Sequence, residues 1–118
     1  MTTQEKLEKI VKILDQKKAE DIKVIGITKL SIIADYFVIA TGTSSTQVKA
    51  LADEVEFQLG NEGEEPRGIE GVRTANWIVL DYLDIVVHVF YKETRGEYQL
   101  EHLWADGEQI DISNLLTD

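Results

Sequence analysis

Cysteine is absent from this chain of 118 residues, and Pro66 is its sole proline. Without cysteine, disulfides and thiolate metal sites are excluded. No apolar run approaches the roughly 20 residues that a membrane-spanning helix needs. The opening segment, MTTQEKLEKIVKIL, carries charges throughout, so we expect no signal peptide there. These absences favour a soluble cytoplasmic protein with no membrane partner.

Basic residues are also scarce, because 12 lysines and arginines face 22 aspartates and glutamates, for a net charge of -10. Such a surface repels phosphate, which disfavours free nucleic acid as a direct partner. It attracts a basic protein surface instead, although solubility alone also explains the charge. With 43% hydrophobic residues the chain can form one core, and its length fits a single domain over residues 1–118.

Hydrophobic periodicity predicts the element order α-β-β-α-β-β-β-α, which is an α/β fold with a mixed β-sheet flanked by helices. The segment YFVIA is apolar on both faces, so we expect it in a central strand covered on both sides. The predicted helices cover residues 3–18, 44–60 and about 100–107, and the predicted strands cover 22–28, 36–41, 67–69, 77–81, 85–91 and, as a short edge strand, 110–112.

Helix ends are predicted from capping residues. Thr2 with Glu5, and Ser44 with Gln47, have the spacing of a capping box, in which each side chain accepts a hydrogen bond from the other residue's amide. Gly60 is expected to form the C-terminal cap of the second helix.

The hairpin built from strands 77–81 and 85–91 separates into two faces if Asp81 lies opposite Val86, which requires a loop of two or four residues. A three-residue loop would mix the faces. One face is nearly all aliphatic and is assigned to the core: Ile78, Leu80, Tyr82, Ile85, Val87, Val89 and Tyr91. The other, which we name the docking face, comprises Trp77, Val79, Asp81, Val86, His88 and Phe90.

Aromatic anchors with a few polar groups are typical of protein-binding patches, so we predict that the docking face binds a protein partner. The alternative interpretation is that Trp77 and Phe90 pack beneath a helix and that His88 is a core histidine. Burial of both Asp81 and His88 would require polar partners, which a small core has few of.

No catalytic or metal-binding arrangement is predicted. Asp81 and Asp84 are three residues apart across a turn, whereas a two-metal site needs carboxylates aimed at one point. The histidines, His88 and His102, lack a spaced second ligand. The segment TGTSS at 41–45 precedes a helix, where amides can hold an anion, but a tight turn with an N-cap is favoured. We expect no cofactor and no enzymatic activity, with residual nucleotide binding or nucleotidyl transfer at 41–45 as an alternative.

Several segments resemble the ribosomal silencing factor family, RsfS, also called Iojap. They occur in the family's order and spacing over roughly residues 5–106: DYFVIATGTSS (35–45), EG (70–71), WIVLDY (77–82), VVHVF (86–90), Arg95, Tyr98 and LEHLW (100–104). One departure is Leu83, where many relatives have glycine. A non-glycine residue there could change the turn and with it the register of the hairpin.

The resemblance implies a fold related to nucleotidyl transferases that lacks the catalytic acids. It also implies that the protein binds the large ribosomal subunit through ribosomal protein number fourteen, at the face that meets the small subunit. Bound there, it would block subunit joining and repress translation. Organellar relatives act in ribosome assembly, which makes large-subunit assembly an alternative function. Family members are commonly homodimers when free.

The resemblance assigns partner binding to Trp77, Asp81 and His88, which lie in matching strand motifs. The same role for the remaining docking-face residues, Val79, Val86 and Phe90, rests on strand alternation alone.

Overall fold

The computed structural model describes residues 1–28, 34–95 and 107–116. Within these residues the chain forms a six-stranded mixed sheet with two long helices, in the predicted order. The elements are α1 (Thr3–Gln16), β1 (Glu20–Gly26), β2 (Tyr36–Gly42), α2 (Ser45–Asn61), β3 (Gly68–Glu70), β4 (Trp77–Asp81), β5 (Ile85–Tyr91), α3 (Lys92–Arg95), β6 (Glu108–Gln109) and a 3-10 helix (Ser113–Leu115). The predicted helix at about 100–107 lies essentially outside the described residues. No helix in the described ranges is long and apolar enough to cross a membrane.

The strands are arranged in the order β3-β4-β5-β2-β1-β6. β2 and β5 pair in parallel at the centre, and every other neighbouring pair is antiparallel. β2 is central and apolar on both faces, as predicted, because Val38 and Ala40 belong to one core cluster and Ile39 to another. The α/β prediction with a mixed sheet is therefore confirmed.

The larger core lies between one face of the sheet and both long helices. α1 contributes Leu7, Ile10, Val11, Ile13 and Leu14, and α2 contributes Val48, Leu51, Ala52, Val55 and Leu59. A smaller cluster on the opposite face of the sheet contains Ile25, Ile27, Ala34, Ile39 and Phe90, with Phe37, Trp77 and Val86 packed against it. The docking face belongs to this second side of the sheet.

The helix N-termini follow the predicted capping residues. At α1 the capping box is complete, since the Thr2 hydroxyl accepts from the Glu5 amide at 3.1 Å and the Glu5 carboxylate accepts from the Thr2 amide at 2.8 Å. At α2 the Ser44 hydroxyl accepts from the Gln47 amide at 3.1 Å. The Gln47 side chain, however, accepts from the Thr43 amide, so this second box is only half formed.

The C-terminus of α2 differs from the prediction. The helix continues through Gly60 to Asn61, and the left-handed residue is Gly63, at φ 80°. The Gly63 amide donates to the Gly60 carbonyl at 3.0 Å and the Glu64 amide to the Leu59 carbonyl at 2.9 Å. These two bonds form a Schellman cap, which explains why the second glycine, and not the first, ends the helix.

The bounds of the first and last strands also differ from the prediction. β1 starts at Glu20 because it pairs with Thr41 of β2 through an irregularity in the register before Lys23. The predicted edge strand 110–112 is replaced by β6 at Glu108–Gln109, which pairs with the end of β1. Ile112 is buried in the larger core instead of extending the sheet edge.

Candidate partner-binding site

The register of the hairpin is the one predicted with a four-residue loop. Asp81 lies opposite Val86, Val79 opposite His88, and Trp77 opposite Phe90. The loop closes with a hydrogen bond of 2.9 Å from the Tyr82 amide to the Ile85 carbonyl. All six docking-face residues therefore lie on one face of the sheet. The opposite face is core as predicted, with Ile78, Leu80, Tyr82, Ile85, Val87 and Val89 buried and Tyr91 partly buried.

Leu83 occupies the turn in a left-handed conformation, with φ 75°. Glycine adopts this region freely, whereas other L-residues are strained there. The turn is held by the Asp81 side chain, which accepts a hydrogen bond from the Leu83 amide at 2.9 Å. The departure at Leu83 consequently leaves the register of the hairpin unchanged.

The Trp77 ring packs against two buried rings, those of Phe90 and His88. Phe90 has no exposed surface and His88 is 6% exposed, while Trp77 is only partly buried. The indole stacks on Phe90 with ring centroids 5.1 Å apart, and its Nε1 donates to His88 Nδ1 at 3.0 Å. The surface that a partner can touch is thus formed by the partly exposed Trp77, Val79, Asp81 and Val86, with Phe90 and His88 beneath it. The alternative interpretation, in which His88 is a core histidine, is therefore correct as to its burial.

His88 is held neutral by its surroundings. Burial lowers the pKa of its imidazole from 6.5 to about 4. The ring lies 4.6 Å from that of Phe37, between centroids, on the neighbouring strand β2. Because Nδ1 accepts from Trp77, the proton of the neutral ring is on Nε2, which is buried and has no hydrogen-bond partner among the described residues. His88 therefore acts as an acceptor that orients the indole.

Asp81 carries a negative charge at the end of the docking face nearest the turn. One carboxylate oxygen accepts from Arg67 Nη2 at 2.7 Å and the other from the Leu83 amide. Burial raises the pKa of this carboxyl, but the hydrogen bonds and the charge of Arg67 outweigh it and hold the pKa below its usual value. Sequence reasoning missed Arg67, because only the pairing of β3 with β4 brings it beside Asp81.

Asp84 belongs to a different cluster, which ties the turn to α1. It accepts from the Thr3 hydroxyl at 2.7 Å and from Lys6 Nζ at 2.9 Å, and Lys6 also lies 3.5 Å from Glu64. Asp81 and Asp84 are thus engaged by separate cations on separate elements. This arrangement anchors the hairpin and does not aim the two carboxylates at one site.

The segment 41–45 forms a tight turn that leads into α2. The Thr43 amide and hydroxyl both donate to the Gln47 side-chain oxygen, at 2.6 and 2.8 Å. Gly42 is packed closely, since a Cβ there would lie 2.8 Å from a Val48 methyl group. The favoured interpretation, a turn with an N-cap, is confirmed, and an acceptor from the chain itself already occupies the Thr43 amide.

Known proteins are similar to this chain over nearly its whole length. Residues 1–118 match the family RsfS, described as "Ribosomal silencing factor during starvation". Curated relatives include "Ribosomal silencing factor RsfS" from Halalkalibacterium halodurans, 38% identical over 99% of this chain and 100% of that protein. The protein of the same name from Bacillus subtilis is 42% identical over 83% of each chain. "Mitochondrial assembly of ribosomal large subunit protein 1" from Mus musculus is 33% identical over 84% of this chain and 45% of the mouse protein.

Solved structures share the fold. A crystal structure from Bacillus halodurans is 37% identical, covers 92% of this chain and 99% of its own, and superposes with a TM-score of 0.83. One from Chromobacterium violaceum is 34% identical, covers 94% of this chain and 91% of its own, and has a TM-score of 0.85. Since the family match spans the whole chain, this protein belongs to the ribosomal silencing factor family, RsfS.

Proposed function

We propose that the protein represses translation by docking on the large ribosomal subunit through ribosomal protein number fourteen, at the intersubunit face. The observation that carries this proposal is the arrangement of Trp77, a partly exposed aromatic ring fixed by Phe90 and His88 beside the charged Asp81. An anchor that is already ordered loses little conformational freedom on binding. The net charge of -10 favours a basic partner, as ribosomal proteins commonly are.

Repression in this proposal is steric. The domain occupies space that the small subunit needs, so affinity and position are sufficient, and neither catalysis nor a cofactor is involved. An interface of standard size buries about 1,600 Å² in total, and a few central anchors contribute most of the binding energy. We further propose, from the family resemblance, a cytoplasmic protein that is a homodimer when free.

The test is co-sedimentation with isolated large subunits, using wild type, Trp77→Ala and Phe57→Ala. Phe57 is a matched control, because it is an aromatic residue that is 65% exposed but lies on α2, on the other side of the sheet. Loss of an aromatic anchor costs at least about 2 kcal/mol, so Trp77→Ala is expected to weaken binding about thirtyfold, and Phe57→Ala to leave it unchanged. Circular dichroism confirms that each variant is folded.

Two results would contradict the proposal. If folded Trp77→Ala sediments with large subunits as wild type does, the docking face is not the binding site. If wild type binds but subunit joining proceeds at the same rate, binding does not silence the ribosome.

A second candidate function is large-subunit assembly, favoured by the name of the mouse relative. It uses the same surface at an earlier stage, before the subunit is complete. Ribosome profiles from a strain lacking the protein separate the two functions: accumulation of large-subunit precursors supports assembly, whereas normal subunits with excess joining support silencing.

A further inference from the structure

Arg67 covers the one carboxylate of the docking face. Its side chain is 54% exposed, whereas that of Asp81 is 28% exposed, so the arginine is the more exposed member of the pair. The arginine is anchored by its backbone as well, because the Arg67 amide donates to the Asp81 carbonyl at 2.6 Å at the start of β3. A partner approaching Asp81 therefore also meets the positive charge of Arg67.

We propose that Arg67 is a specificity-determining residue: an internal cation that occupies Asp81 in the free protein and that a lysine or arginine of a basic partner protein displaces on docking. This inference rests on the proposed function. The partner's chemistry follows from the acidity of the chain, whose net charge of -10 attracts basic protein surfaces and repels phosphate.

Displacement is physically reasonable because the ion pair is at the surface. Exposed ion pairs contribute little to stability, since solvent screens them and two long side chains must be held in place. A second cation at hydrogen-bond distance from the same carboxylate would be repelled by a guanidinium that stayed. Docking is therefore favoured when Arg67 moves aside, and while the arginine stays the protein gives up part of the affinity that Asp81 could provide.

Removal of Arg67 does not release Asp81. One carboxylate oxygen remains bound to the Leu83 amide at 2.9 Å, and the backbone remains paired in β4. The carboxylate therefore keeps its position when its internal cation is absent. For this reason we expect tighter binding from the loss of Arg67, and no weakening from a disordered acceptor.

The experiment measures the affinity of the full chain for isolated large subunits, at several salt concentrations. Arg67→Gln is expected to bind about three- to tenfold tighter than wild type and to show a steeper salt dependence. Lys12→Gln is the charge control, since Lys12 is an exposed cation on α1, on the opposite side of the sheet. In an Asp81→Asn background, Arg67→Gln is expected to have no larger effect than Lys12→Gln.

The outcomes distinguish a failure of the displacement inference from a failure of the proposed function. If wild type binds but Arg67→Gln binds like Lys12→Gln, or more weakly than wild type, the displacement inference is overturned and the proposed function stands. The same holds if Arg67→Gln tightens binding equally in the Asp81→Asn background. If neither wild type nor Arg67→Gln binds large subunits, the proposed function and the inference fall together.

Discussion

Protonation of His88 is predicted to destabilise the fold as the pH falls from 6.5 to about 4. Burial holds the pKa of the folded imidazole at about 4, whereas the unfolded residue takes up its proton near 6.5. Between these values the unfolded state binds more protons, so stability decreases as the pH is lowered. Above 6.5 the ring is neutral in both states and the full stability is present. Below about 4 the loss is complete.

The magnitude follows from the difference between the two pKa values. Each unit corresponds to about 1.4 kcal/mol, so a difference of 6.5 minus about 4 gives a loss of about 3 kcal/mol. Structurally, the added proton would remove the acceptor for Trp77 Nε1 and place a charge at a position that burial keeps from water. A loss of about 3 kcal/mol is a large share of the roughly 5–15 kcal/mol that stabilises a typical domain.

The assay is urea unfolding at pH 7, 5.5 and 4.5, followed by circular dichroism, for wild type and His88→Asn. Asparagine offers Trp77 an oxygen acceptor near the position of Nδ1 but does not titrate. His102 is present in both proteins, so its contribution cancels. Burial raises the pKa values of Asp81 and Asp84, but hydrogen bonds and nearby cations outweigh it and hold both below 3.8, outside the window.

Equal free energies of unfolding of wild type at pH 7 and 4.5 would refute this prediction, as would a loss of stability in His88→Asn as steep as in wild type. An NMR titration of the imidazole provides a direct check, because an apparent pKa near 6.5 in the folded protein would mean that the ring is hydrated.

Substitutions at Leu83 and Gly71 test the backbone around the docking face. Leu83→Gly is expected to stabilise the protein by about 0.5–1 kcal/mol in urea unfolding, since it removes the strain of a left-handed leucine that is 51% exposed. A clear loss of stability would contradict this, because it would mean that the leucine side chain contributes more than its exposure indicates. Gly71→Ala is expected to destabilise by roughly 2 kcal/mol or more, because Gly71 has φ 85° and a Cβ would clash with the Trp77 carbonyl. Gly63→Ala is its control, with a similar φ of 80° in open space, and equal losses for the two variants would contradict a clash at Trp77.

The hairpin was predictable because its alternation extends over both strands. A slip of β4 by one residue against β5 would move Ile78 and Leu80 from the core to the other face, so one register is strongly favoured. The helix starts were predictable for a local reason as well, since Thr2 and Ser44 cap amides only three residues away. Features that depend on residues close in sequence could therefore be predicted from the sequence.

Features that depend on pairing between strands distant in sequence could not be predicted in the same way. Alternation shows which side of the sheet Phe90 and His88 are on, but their depth depends on the parallel pairing of β5 with β2, which brings in Phe37 and Ile39. The partner of Asp81 likewise directly precedes β3, which pairs with β4 across the six-residue loop 71–76. The end of α2 was ambiguous for another reason, because two glycines three residues apart both satisfy the local pattern and only the Schellman bonds of the second select it.

Burial of the docking face requires partners for its polar side chains, and both His88 and Asp81 have one within the chain, although His88 Nε2 has none among the described residues. His88 accepts from Trp77, and Asp81 accepts from Arg67 and Leu83. The consequence for binding differs between the two ends of the face. At the Trp77 end the partner meets a ring that is already oriented and needs no exchange of the contact with His88. At the Asp81 end the internal cation, Arg67, is exchanged for a lysine or arginine of the partner. The aromatic end is therefore expected to contribute most of the affinity, and the acidic end most of the discrimination between partners.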